Sequence, residues 1–429
     1  MTVPQLYKLF TEHPAVTTDS RNCIPDSIFF ALKGNNFDGN CFAEKALQGG
    51  CFCAVIDNPD FAKNNDNFIL VDDVLHTLQQ LARLHRETLN TQLIAITGTN
   101  GKTTTKELTA AVLAKQYNVL YTQGNRNNHI GVPLTLLELK REHEFAVIEM
   151  GASHEGEIKT LCRTALPDYG LITNVGIAHL EGFGSFEGVI KAKGELYDFL
   201  RENGGMAFVH QENKYLTEMA CDIDVCLYGT QMKDVTFVAG KVLKSAPFLE
   251  FEWFHDFGER YTVKTALVGD YNLWNALAAI SVGLFLMVDA PLINAAISEY
   301  KPANNRSQFR KTPNNELIVD AYNANPDSMS AALRNFSAMQ AQRKAVILGD
   351  MLELGDNSCQ WHLETVAQLN SYDKALLCGK NFSQAGQRFL CFEDTDRLAD
   401  YLRNFPLSGY TVLIKGSRAI QLEKIIELL

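Results

Sequence analysis

The segment that most constrains this chain is a glycine-rich turn between an apolar strand and a helix. Residues 97–104 read Thr-Gly-Thr-Asn-Gly-Lys-Thr-Thr, with the apolar run Leu-Ile-Ala-Ile-Thr at 93–97 before them and a helical pattern at 104–115 after them. Backbone N–H groups in a turn that opens a helix form a cradle for phosphate groups. This context predicts a nucleoside-triphosphate site within an α/β domain.

The residue types within the turn indicate the expected roles. We expect the N–H groups of residues 99–102 to face the β- and γ-phosphates, Lys102 to neutralise their charge, and the Thr103 hydroxyl to ligate Mg²⁺. The turn departs from the pattern G-x-x-x-x-G-K-[ST], because Ile96 stands where the first glycine falls and Gly98 supplies a glycine two residues later. The shortened turn points away from general GTPases and toward a subset of phosphate-loop enzymes.

Short apolar strands alternate with helical stretches over most of the chain. The runs at 146–150 and 169–173 share the continuous apolar character of 93–97, which is typical of a parallel sheet covered on both faces. From about 205 to 268 the strands alternate apolar and polar residues, which predicts antiparallel additions to the same sheet. After the turn-forming segment 301–306, a second series of strands and helices begins.

These patterns predict an α/β protein of three domains, within the range of about two to four that the length favours. We expect a small N-terminal α/β module at 1–85, a central ATPase-like domain with a parallel sheet at 86–301, and a C-terminal Rossmann-like domain at 302–429. Hinges near 86 and 301 would allow open and closed arrangements.

Composition excludes several classes of protein. Lys plus Arg total 39 against 50 for Asp plus Glu, a net charge of −11, so we expect no nucleic-acid partner and no binding to an anionic membrane surface. The longest apolar run, 276–288, is shorter than the span of about 20 residues that a bilayer requires, which predicts a buried helix and no membrane insertion. With no secretory pattern at the N-terminus and ten scattered cysteines, we expect a cytoplasmic protein with reduced thiols; the acidic surface is compatible with a monomer.

Polar side chains at two further strand ends extend the expected phosphate site. Glu149 ends an apolar run, where a carboxylate is costly unless it faces a cation. His179 follows the next apolar run, in a loop that contains glycines. Considered alone, it is more often a hydrogen-bonded polar residue. Together with Glu149 and the glycine-rich turn, it is predicted to be a metal ligand. The segment 191–196 opens a helix, and on composition alone its lysines form a solvated charged face.

Motifs over nearly the whole chain resemble, in order and spacing, the Mur ligase family, the ATP-dependent amide-forming enzymes of peptidoglycan precursor synthesis. They include Phe-Phe-Ala-Leu-Lys-Gly at 29–34, Ala-Lys-Gly-Glu at 192–195 and Asp-Ala-Tyr-Asn-Ala-Asn-Pro at 320–326. The others lie at 18–21, 97–104, 125–133, 178–185, 269–276, 348–355 and 415–418.

The resemblance implies a role for each matching residue. Lys193 is implied to be carbamylated, which would turn its cation into a carboxylate-like ligand for a second Mg²⁺ and replaces the charged-face interpretation. The implied catalytic residues are Lys102, His179 and Lys193, and the implied metal ligands are Thr103, Glu149, His179 and Lys193. The implied ATP-binding residues are Gly98, Thr99, Asn100, Gly101, Lys102, Thr103, Thr104, Asn272, Asn275, Arg306, Asp320, Tyr322 and Asn323. The uridine diphosphate end is assigned to Ser20, Arg21, Lys33, Gly34, Asp38 and Gly39, and the muramoyl peptide to Asn127 and Asn128.

Two positions need comment. Asn305 precedes Arg306 where the family more usually has glycine, so the sequence departs from the pattern at that point. Lys415 and Arg418 follow an apolar strand and are candidate anchors for a substrate carboxylate, because Arg binds carboxylates bidentately; surface charges near a helix start are the alternative interpretation.

The resemblance implies the family type that joins D-Ala-D-Ala to UDP-N-acetylmuramoyl-tripeptide through an acyl phosphate, with ATP and Mg²⁺. A sibling ligase that adds a diamino acid is the first alternative. The second is a phosphate-loop kinase or ATPase, which leaves the N- and C-terminal domains unexplained. The third, a non-catalytic nucleotide-binding scaffold, conflicts with the retention of Lys102, Thr103, Glu149, His179 and Lys193. The third residue of the acceptor peptide stays open.

Overall fold

The computed structural model describes residues 1–62, 66–255, 258–303 and 305–429, and these residues form three α/β units that follow one another along the chain. Each unit contains one mainly parallel sheet with helices packed on it, as the continuous apolar strands predict. The expected α/β class with three domains is therefore confirmed. Asn304, in the predicted turn at 301–306, lies outside the described residues.

The first unit comprises α1 (Val3–Glu12), β1 (Val16–Thr17), β2 (Ile28–Phe30), β3 (Lys33–Gly34), β4 (Phe37–Asp38), α2 (Ala43–Gln48), β5 (Cys53–Ile56), β6 (Phe68–Leu70) and α3 (Val74–Glu87). Strands β1, β2, β5 and β6 form a parallel sheet in that order, and β3 pairs with β4. Helix α3 begins after Asp73, whose carboxylate accepts the N–H of His76 at 2.7 Å. It buries Val74, Leu78 and Leu81 at helical spacing.

The central unit comprises β7 (Gln92–Thr97), α4 (Lys102–Leu113), β8 (Val119–Tyr121), α5 (Gly131–Leu136), β9 (Phe145–Glu149), α6 (Glu157–Ala165), β10 (Tyr169–Ile172), α7 (Leu180–Phe183), α8 (Phe186–Asn203), β11 (Met206–His210), α9 (Lys214–Met219), β12 (Asp224–Gly229), β13 (Thr236–Lys244), β14 (Glu250–His255), β15 (Arg260–Lys264), α10 (Asn272–Phe285) and α11 (Ala290–Glu299). Its sheet has the order β15-β14-β13-β12-β11-β10-β7-β9-β8.

Strand β7 lies between β10 and β9 in this sheet. The parallel register pairs Ile96 with Glu149 and Thr97 with Ile172. The carboxyl ends of these three strands therefore meet at one edge, which is where open α/β sheets bind ligands. This edge brings together the glycine-rich turn, Glu149 and the segment that follows Ile172.

The antiparallel additions are confirmed, but they begin later than the interval 205–268 suggested. Strands β11 and β12 are parallel, and antiparallel pairing starts only between β13 and β14. The predicted helix over 276–288 is also confirmed as α10, which buries Ala276 and Ile280 completely. Neighbouring helices and the sheet bury most of it, which explains its apolar sequence, and Phe285 at its end is exposed.

The C-terminal unit comprises β16 (Gln308–Lys311), β17 (Glu316–Asp320), α12 (Pro326–Ala338), β18 (Lys344–Gly349), α13 (Ser358–Ala367), β19 (Lys374–Cys378), α14 (Lys380–Ala385), β20 (Leu390–Phe392), α15 (Thr395–Asn404) and β21 (Thr411–Lys415). Short 3₁₀ helices occur at Gly39–Phe42, Gly355–Asn357, Leu369–Ser371, Arg418–Ile420 and Leu422–Leu428. The sheet has the order β16-β17-β21-β18-β19-β20, with β16 antiparallel and the other strands parallel.

Helix α3 joins the first unit to the central unit. The Arg86 guanidinium donates to the carbonyls of Ala165 and Leu166, both at 3.2 Å, and to the Asp168 carboxylate at 2.9 Å. The boundary at 85/86 stays a prediction and falls in the last turn of this helix; the boundary at 301/302 falls between α11 and β16. In the described part of the chain, no helix has an apolar stretch of the length that a bilayer span requires.

Candidate active site

A cleft of about 1330 Å³ lies between the central and C-terminal units. The glycine-rich turn, the end of β9 and the start of α10 form one wall, residues 320–334 form the facing wall, and Leu75 and Gln79 of α3 contribute to one side. Predicted site residues that line it are Thr99, Asn100, Gly101, Lys102, Thr103, Thr104, Asn127, Asn128, Glu149, His179, Asn272, Asn275, Arg306, Asp320, Tyr322, Asn323 and Lys415.

The backbone of the glycine-rich turn leaves no space for side chains at its two glycines. Gly98 has a φ of 139°, and a Cβ there would lie 2.0 Å from the Thr173 hydroxyl. Gly101, with a φ of 81°, precedes α4, and a Cβ there would lie 2.5 Å from the side-chain oxygen of Asn275. Glycine is the residue that tolerates both the positive φ and the close approach, so Gly98 acts by shaping the turn, although it is not part of the cleft lining.

Lys102 begins α4 and bends back over the turn. Its Nζ donates to the carbonyl oxygens of Gly98 at 2.7 Å and Thr99 at 2.9 Å. Burial lowers the pKa of Lys102 to about 8, although the Glu149 carboxylate acts in the opposite direction. A buried ammonium group whose direct partners are neutral carbonyls gains strongly from an anionic ligand, as the predicted phosphate-binding role requires.

Glu149 is buried and connects three elements of the central wall. One carboxylate oxygen accepts the Thr103 hydroxyl at 2.8 Å, and the other accepts the Asn127 amide at 2.8 Å. The predicted metal ligands Thr103 and Glu149 are therefore in direct contact. Asn127, predicted to face the muramoyl peptide, lines the cleft and also orients this carboxylate.

Lys193 is 2% exposed and is not part of the cleft lining. Its Nζ makes one long hydrogen bond, 3.3 Å, to the carbonyl of Ala152, and lies 5.2 Å from the centre of the Phe183 ring. Burial, reinforced by the charge of Lys102, lowers the pKa of Lys193 to about 7, whereas Glu157 and Glu195 oppose the shift. The charged-face interpretation of this helix is therefore wrong for Lys193.

His179 faces the C-terminal unit. It adopts a left-handed conformation with a φ of 51°, and its Nδ1 contacts the Glu353 carboxylate. Burial lowers the pKa of His179, and the Glu353 charge opposes that shift. Within residues 1–62, 66–255, 258–303 and 305–429, no three His, Cys, Asp or Glu side chains gather as a metal site. Of the predicted metal ligands, Thr103 and Glu149 are in contact with each other, whereas His179 pairs with Glu353.

Asn272 and Asn275 lie at the start of α10, as expected for a base-binding site. The Asn275 side-chain amide donates to the Asn272 side-chain oxygen at 2.8 Å, and the Asn275 side-chain oxygen accepts the Thr105 hydroxyl at 3.0 Å. An aromatic surface lies beside them, where His210 and Trp274 have ring centres 3.9 Å apart. Both rings line the cleft and suit a planar base.

The facing wall contributes a cation and an ion pair. The Arg306 guanidinium lies 3.6 Å above the Tyr322 ring, and its Nε is buried without a hydrogen-bond partner. Asp320 accepts from Lys415 Nζ at 2.5 Å, and Lys415 also donates to the Asn323 carbonyl at 3.3 Å. Lys415 is 2% exposed, so the surface-charge interpretation is wrong for it, and Asp320 already balances its charge.

The structure does not place Arg418 in the cleft lining. Arg418 lies beside Tyr322, whose hydroxyl accepts from its guanidinium at 3.4 Å and whose ring centre is 5.2 Å away. The role of Arg418 as a carboxylate anchor stays a prediction.

The first turn of α12 closes onto the glycine-rich turn. Asn325 donates to the Asn100 side-chain oxygen at 2.8 Å, and the Asp327 carboxylate accepts the N–H of Ile177 at 2.8 Å. These contacts link the C-terminal unit directly to the central unit. Asn323, two residues earlier, lines the cleft.

The residues predicted to bind uridine diphosphate form a separate group on the first unit. Arg21 forks onto Asp19, with two nitrogen–oxygen distances of 2.9 Å, and lowers the pKa of that carboxyl to about 2. Lys33 pairs with Asp57 at 2.8 Å. The remaining members are Ser20, Gly34, Asp38 and Gly39, and none of the six is part of the cleft lining. The structure thus places them outside the cleft that holds the other sites.

Sequence reasoning missed several residues of the cleft. Asn174 accepts the N–H of Asn100 at 3.0 Å and fixes the turn, and its position after β10 was a usable signal. His210 ends β11 in the same way, and Trp274 lies between the two predicted amides of α10. Arg334 of α12 also lines the cleft, and no local pattern marked it.

Three family models match the chain in sequence order. They are described as "Mur ligase family, catalytic domain" at residues 14–86, "Mur ligase middle domain" at 96–283, and "Mur ligase, glutamate ligase domain" at 305–418. Together they cover most of the chain and include the glycine-rich turn, Glu149, Lys193 and Arg306.

Individual relatives agree with these matches over nearly their full length. The UDP-N-acetylmuramoyl-tripeptide--D-alanyl-D-alanine ligase of Bacillus subtilis is 36% identical over 433 residues, covering 96% of this chain and 92% of the relative. The Escherichia coli protein of the same name is 35% identical, covering 97% and 93%. MurF from Acinetobacter baumannii has a TM-score of 0.85 at 31% identity, covering 96% and 92%. MurF ligase from Thermotoga maritima, solved in complex with ADP, has a TM-score of 0.85 at 27% identity, covering 96% of each chain. The chain therefore belongs to the Mur ligase family.

Proposed function

We propose that this protein is an ATP-dependent ligase that joins D-Ala-D-Ala to UDP-N-acetylmuramoyl-tripeptide and releases ADP and phosphate. The observation that supports this most strongly is the single cleft in which the glycine-rich turn faces the first turn of α12, with Asn325 and Asn100 in contact across it. The Bacillus subtilis and Escherichia coli relatives have this reaction in their names, and the Thermotoga maritima relative was solved with ADP.

ATP lies along the central wall of this cleft in the proposal. The base lies between the amides of Asn272 and Asn275 and the His210–Trp274 surface, since amides both donate to and accept from a base edge. The phosphates lie over the turn, where Lys102 exchanges two neutral carbonyl partners for phosphate oxygens. From the facing wall, the unpartnered Nε of Arg306 supplies a further donor.

The residues present fit Mg²⁺ and a carbamylated lysine. Thr103 and Glu149 offer the oxygen ligands that Mg²⁺ prefers, and they are already in contact at 2.8 Å. Lys193, with its pKa near 7, has a substantial fraction of neutral amine at neutral pH, and only the neutral amine combines with CO₂ to give a carbamate. In this proposal Thr103, Glu149, His179 and carbamylated Lys193 hold the metal, which supplies positive charge against the triphosphate when bound.

The reaction has two steps that balance in atoms and charge. The terminal carboxylate of the tripeptide attacks the γ-phosphorus, the bond to the bridging oxygen breaks, and ADP leaves as an acyl phosphate forms. The free amine of the dipeptide then attacks the acyl carbon, the carbon–oxygen bond breaks, phosphate leaves, and the amine loses a proton. The first step brings anion to anion, so Lys102 and Arg306 must offset charge before the reacting oxygen approaches to about 3 Å.

Contacts between the units keep water from the acyl phosphate. His179 contacts Glu353, Asp327 contacts Ile177, and Asn325 contacts Asn100, so three links cross the cleft. An enclosed site strengthens the charge interactions within it and excludes hydrolysis.

The test is release of ADP and phosphate from Mg-ATP with both substrates, with mass detection of the product. The proposal expects release that requires both the tripeptide and D-Ala-D-Ala and yields UDP-N-acetylmuramoyl-pentapeptide. Turnover of UDP-N-acetylmuramoyl-dipeptide with a diamino acid would instead identify the sibling ligase. ATP hydrolysis that ignores both substrates would favour an ATPase.

The role of Lys193 has its own test. Lys193→Ala is expected to lose activity and to recover part of it when formate or acetate is added, because a short carboxylate can occupy the space of the carbamate. The proposal also expects a mass increase of one CO₂ on Lys193 in rapidly analysed wild-type protein. An unmodified Lys193 together with full activity in CO₂-depleted buffer would refute the carbamate.

Two further expectations belong to this proposal. The protein is expected in the cytoplasm, where ATP and UDP-linked precursors are available, and it is expected to be a monomer. Light scattering of the purified chain gives its mass directly and decides the second expectation.

A further inference from the structure

We propose that Arg334 of α12 anchors the C-terminal carboxylate of the incoming dipeptide. This inference rests on the proposed function, because it concerns the second substrate of that reaction. Four observations support it. Arg334 has no carboxylate partner among the described residues, and the other cations of the cleft have partners or lie at the phosphate site. Arg334 also lies at a suitable distance along α12, and its side chain leans toward the start of the helix.

Arg334 has an uncommitted charge at the cleft. It is exposed, it lines the cleft, and its guanidinium makes one hydrogen bond, to the neutral Ser330 hydroxyl at 3.3 Å. Within the described residues, no carboxylate lies within ion-pair distance of it. A guanidinium with this freedom can take a carboxylate bidentately.

The other cations of the cleft have other tasks. Lys415 is buried against Asp320, and Lys102 lies over the glycine-rich turn. Arg306 stacks on Tyr322 beside the turn, where the phosphates of ATP need it. Arg334 is therefore the arginine of the cleft lining that neither pairs with a carboxylate nor lies at the expected phosphate site.

The position of Arg334 matches the length of the dipeptide. The start of α12 adjoins the glycine-rich turn through Asn325, and Asp327 contacts Ile177 in the segment after β10, so the γ-phosphate and the reacting amine lie near this end. Arg334 lies seven residues after Asp327 on the same helix face, which is about 10 Å along the axis at roughly 1.5 Å per residue. Long side chains on a helix lean toward its N-terminus, so the guanidinium reaches back toward the turn. An extended dipeptide spans about 7 Å, which fits the gap.

The residues of α12 between Asp327 and Arg334 leave space for the substrate. Ser328 and Ala331 also line the cleft from α12, and both have small side chains. A dipeptide with methyl side chains can therefore lie along this face, with its amine toward the turn and its carboxylate toward Arg334.

The test compares D-Ala-D-Ala with its uncharged carboxamide, using the full-length protein and the product assay above. Wild-type enzyme is expected to show a KM for the carboxamide about tenfold to 100-fold above that for the dipeptide. Arg334→Gln is expected to raise the KM for D-Ala-D-Ala by a similar factor, to abolish discrimination between the two compounds, and to leave the KM for ATP and the tripeptide unchanged. Arg334→Lys should keep part of the discrimination, because it retains charge without the bidentate geometry.

Arg397→Gln on α15 is the matched control, since Arg397 is an exposed arginine paired with Glu393 at 3.2 Å outside the cleft. It should leave every KM unchanged. Equal KM values for dipeptide and carboxamide in wild-type enzyme would overturn the proposal without any variant. So would an Arg334→Gln enzyme that still discriminates, or one whose KM rises for the tripeptide instead. Failure of the wild-type enzyme to make pentapeptide would refute the proposed function itself.

Discussion

At the residue scale, burial gives two lysines of the central unit unusual chemistry. Lys102 and Lys193 both lose hydration, and their pKa values fall to about 8 and about 7. The two differ in their surroundings, because Lys102 opens onto the cleft whereas Lys193 lies behind its wall. Lys102 is therefore suited to bind an anion directly, and Lys193 to be modified as a neutral amine.

Lys102→Met should reduce kcat/KM for ATP by about 100-fold or more, because it removes the cation nearest the phosphates. Steady-state ADP release measures this loss. Lys115→Met is the control, since Lys115 follows the same helix and pairs with Glu299 on the surface at 2.6 Å. Near-normal turnover by Lys102→Met would show that the phosphate-site assignment is wrong.

Lys193 should make the stability of the fold depend on pH. Its amine is neutral in the folded protein above about pH 7, whereas in the unfolded chain the pKa is near its ordinary value of 10.5. Between these values the unfolded chain binds the extra proton, so the contribution of Lys193 to the free energy of unfolding rises with pH and is most unfavourable at and below neutral pH. Compared with Lys193→Met in CO₂-depleted buffer, wild-type protein should therefore gain stability between about pH 7.5 and 9.5. Urea unfolding at both pH values measures this; parallel pH dependences would contradict the account.

Residues of the site were predictable from sequence where their signal is local. The turn around Lys102 combines strand, glycines and helix in one short segment, and Glu149 is a costly carboxylate at a strand end. His210 and Trp274 meet only because β11 and α10 pack together, so neither marks the other in the sequence. Arg334 gains its interest because no carboxylate among the described residues pairs with it, which only the structure shows.

At the scale of elements, the start of α12 contributes both to the stability of the helix and to the lining of the cleft. Asn325 caps the helix by accepting the N–H of Ser328 at 2.9 Å, and it also contacts Asn100 of the glycine-rich turn. The capping residue of this helix is thus part of the cleft. Asn325 therefore both caps α12 and supplies one of the three links between the C-terminal and central units.

Asn325→Ala should lower the free energy of unfolding by about 1 kcal/mol through loss of the cap. It should also lower kcat/KM for ATP by about tenfold, because one hydrogen bond across the cleft is lost. Chemical unfolding and ADP release measure the two effects on the same preparation.

Asp394→Ala is the matched control, because Asp394 caps α15 by accepting the N–H of Arg397 at 2.8 Å, away from the cleft. It should lose similar stability and retain its activity. If both variants lose activity equally, the effect of Asn325 is one of stability alone.

The elements themselves were predictable where apolar patterns are long. The helix α10 and the parallel strands around β7 follow directly from their continuous apolar runs. The start of the antiparallel region was misplaced, because the interval 205–268 also contains β11 and β12, whose parallel pairing their own residues do not reveal. Pairing partners decide this, and they are distant in sequence.

At the scale of the whole molecule, the three units are joined by specific polar contacts. Arg86 connects the first unit to three oxygen acceptors of the central unit, and its side chain is 9% exposed. This contact fixes α3, which also contributes Leu75 and Gln79 to the cleft. The position of the first unit therefore depends on this buried cation together with the apolar core that α3 shares with the central unit.

Arg86→Met should lower stability by about 3 kcal/mol, because the Ala165 and Leu166 carbonyls lose the Arg86 donor and the Asp168 carboxylate loses its cation, keeping the N–H of Leu93. It should also make the first unit unfold in a separate, earlier thermal transition. Arg83→Met is the control, since Arg83 forms only an exposed pair with Glu87 of the same helix and should cost less than about 0.5 kcal/mol. Scanning calorimetry measures both; a single unshifted transition for Arg86→Met would contradict this interpretation.

The central claim is that one cleft activates a peptide carboxylate as an acyl phosphate and passes it to an amine. The most direct measurement uses UDP-N-acetylmuramoyl-tripeptide with ¹⁸O in both oxygens of its terminal carboxylate, together with Mg-ATP and D-Ala-D-Ala. The account predicts one ¹⁸O in each phosphate released and one in the new amide of the pentapeptide. Phosphate that contains no ¹⁸O, with pentapeptide formed or not, would contradict it.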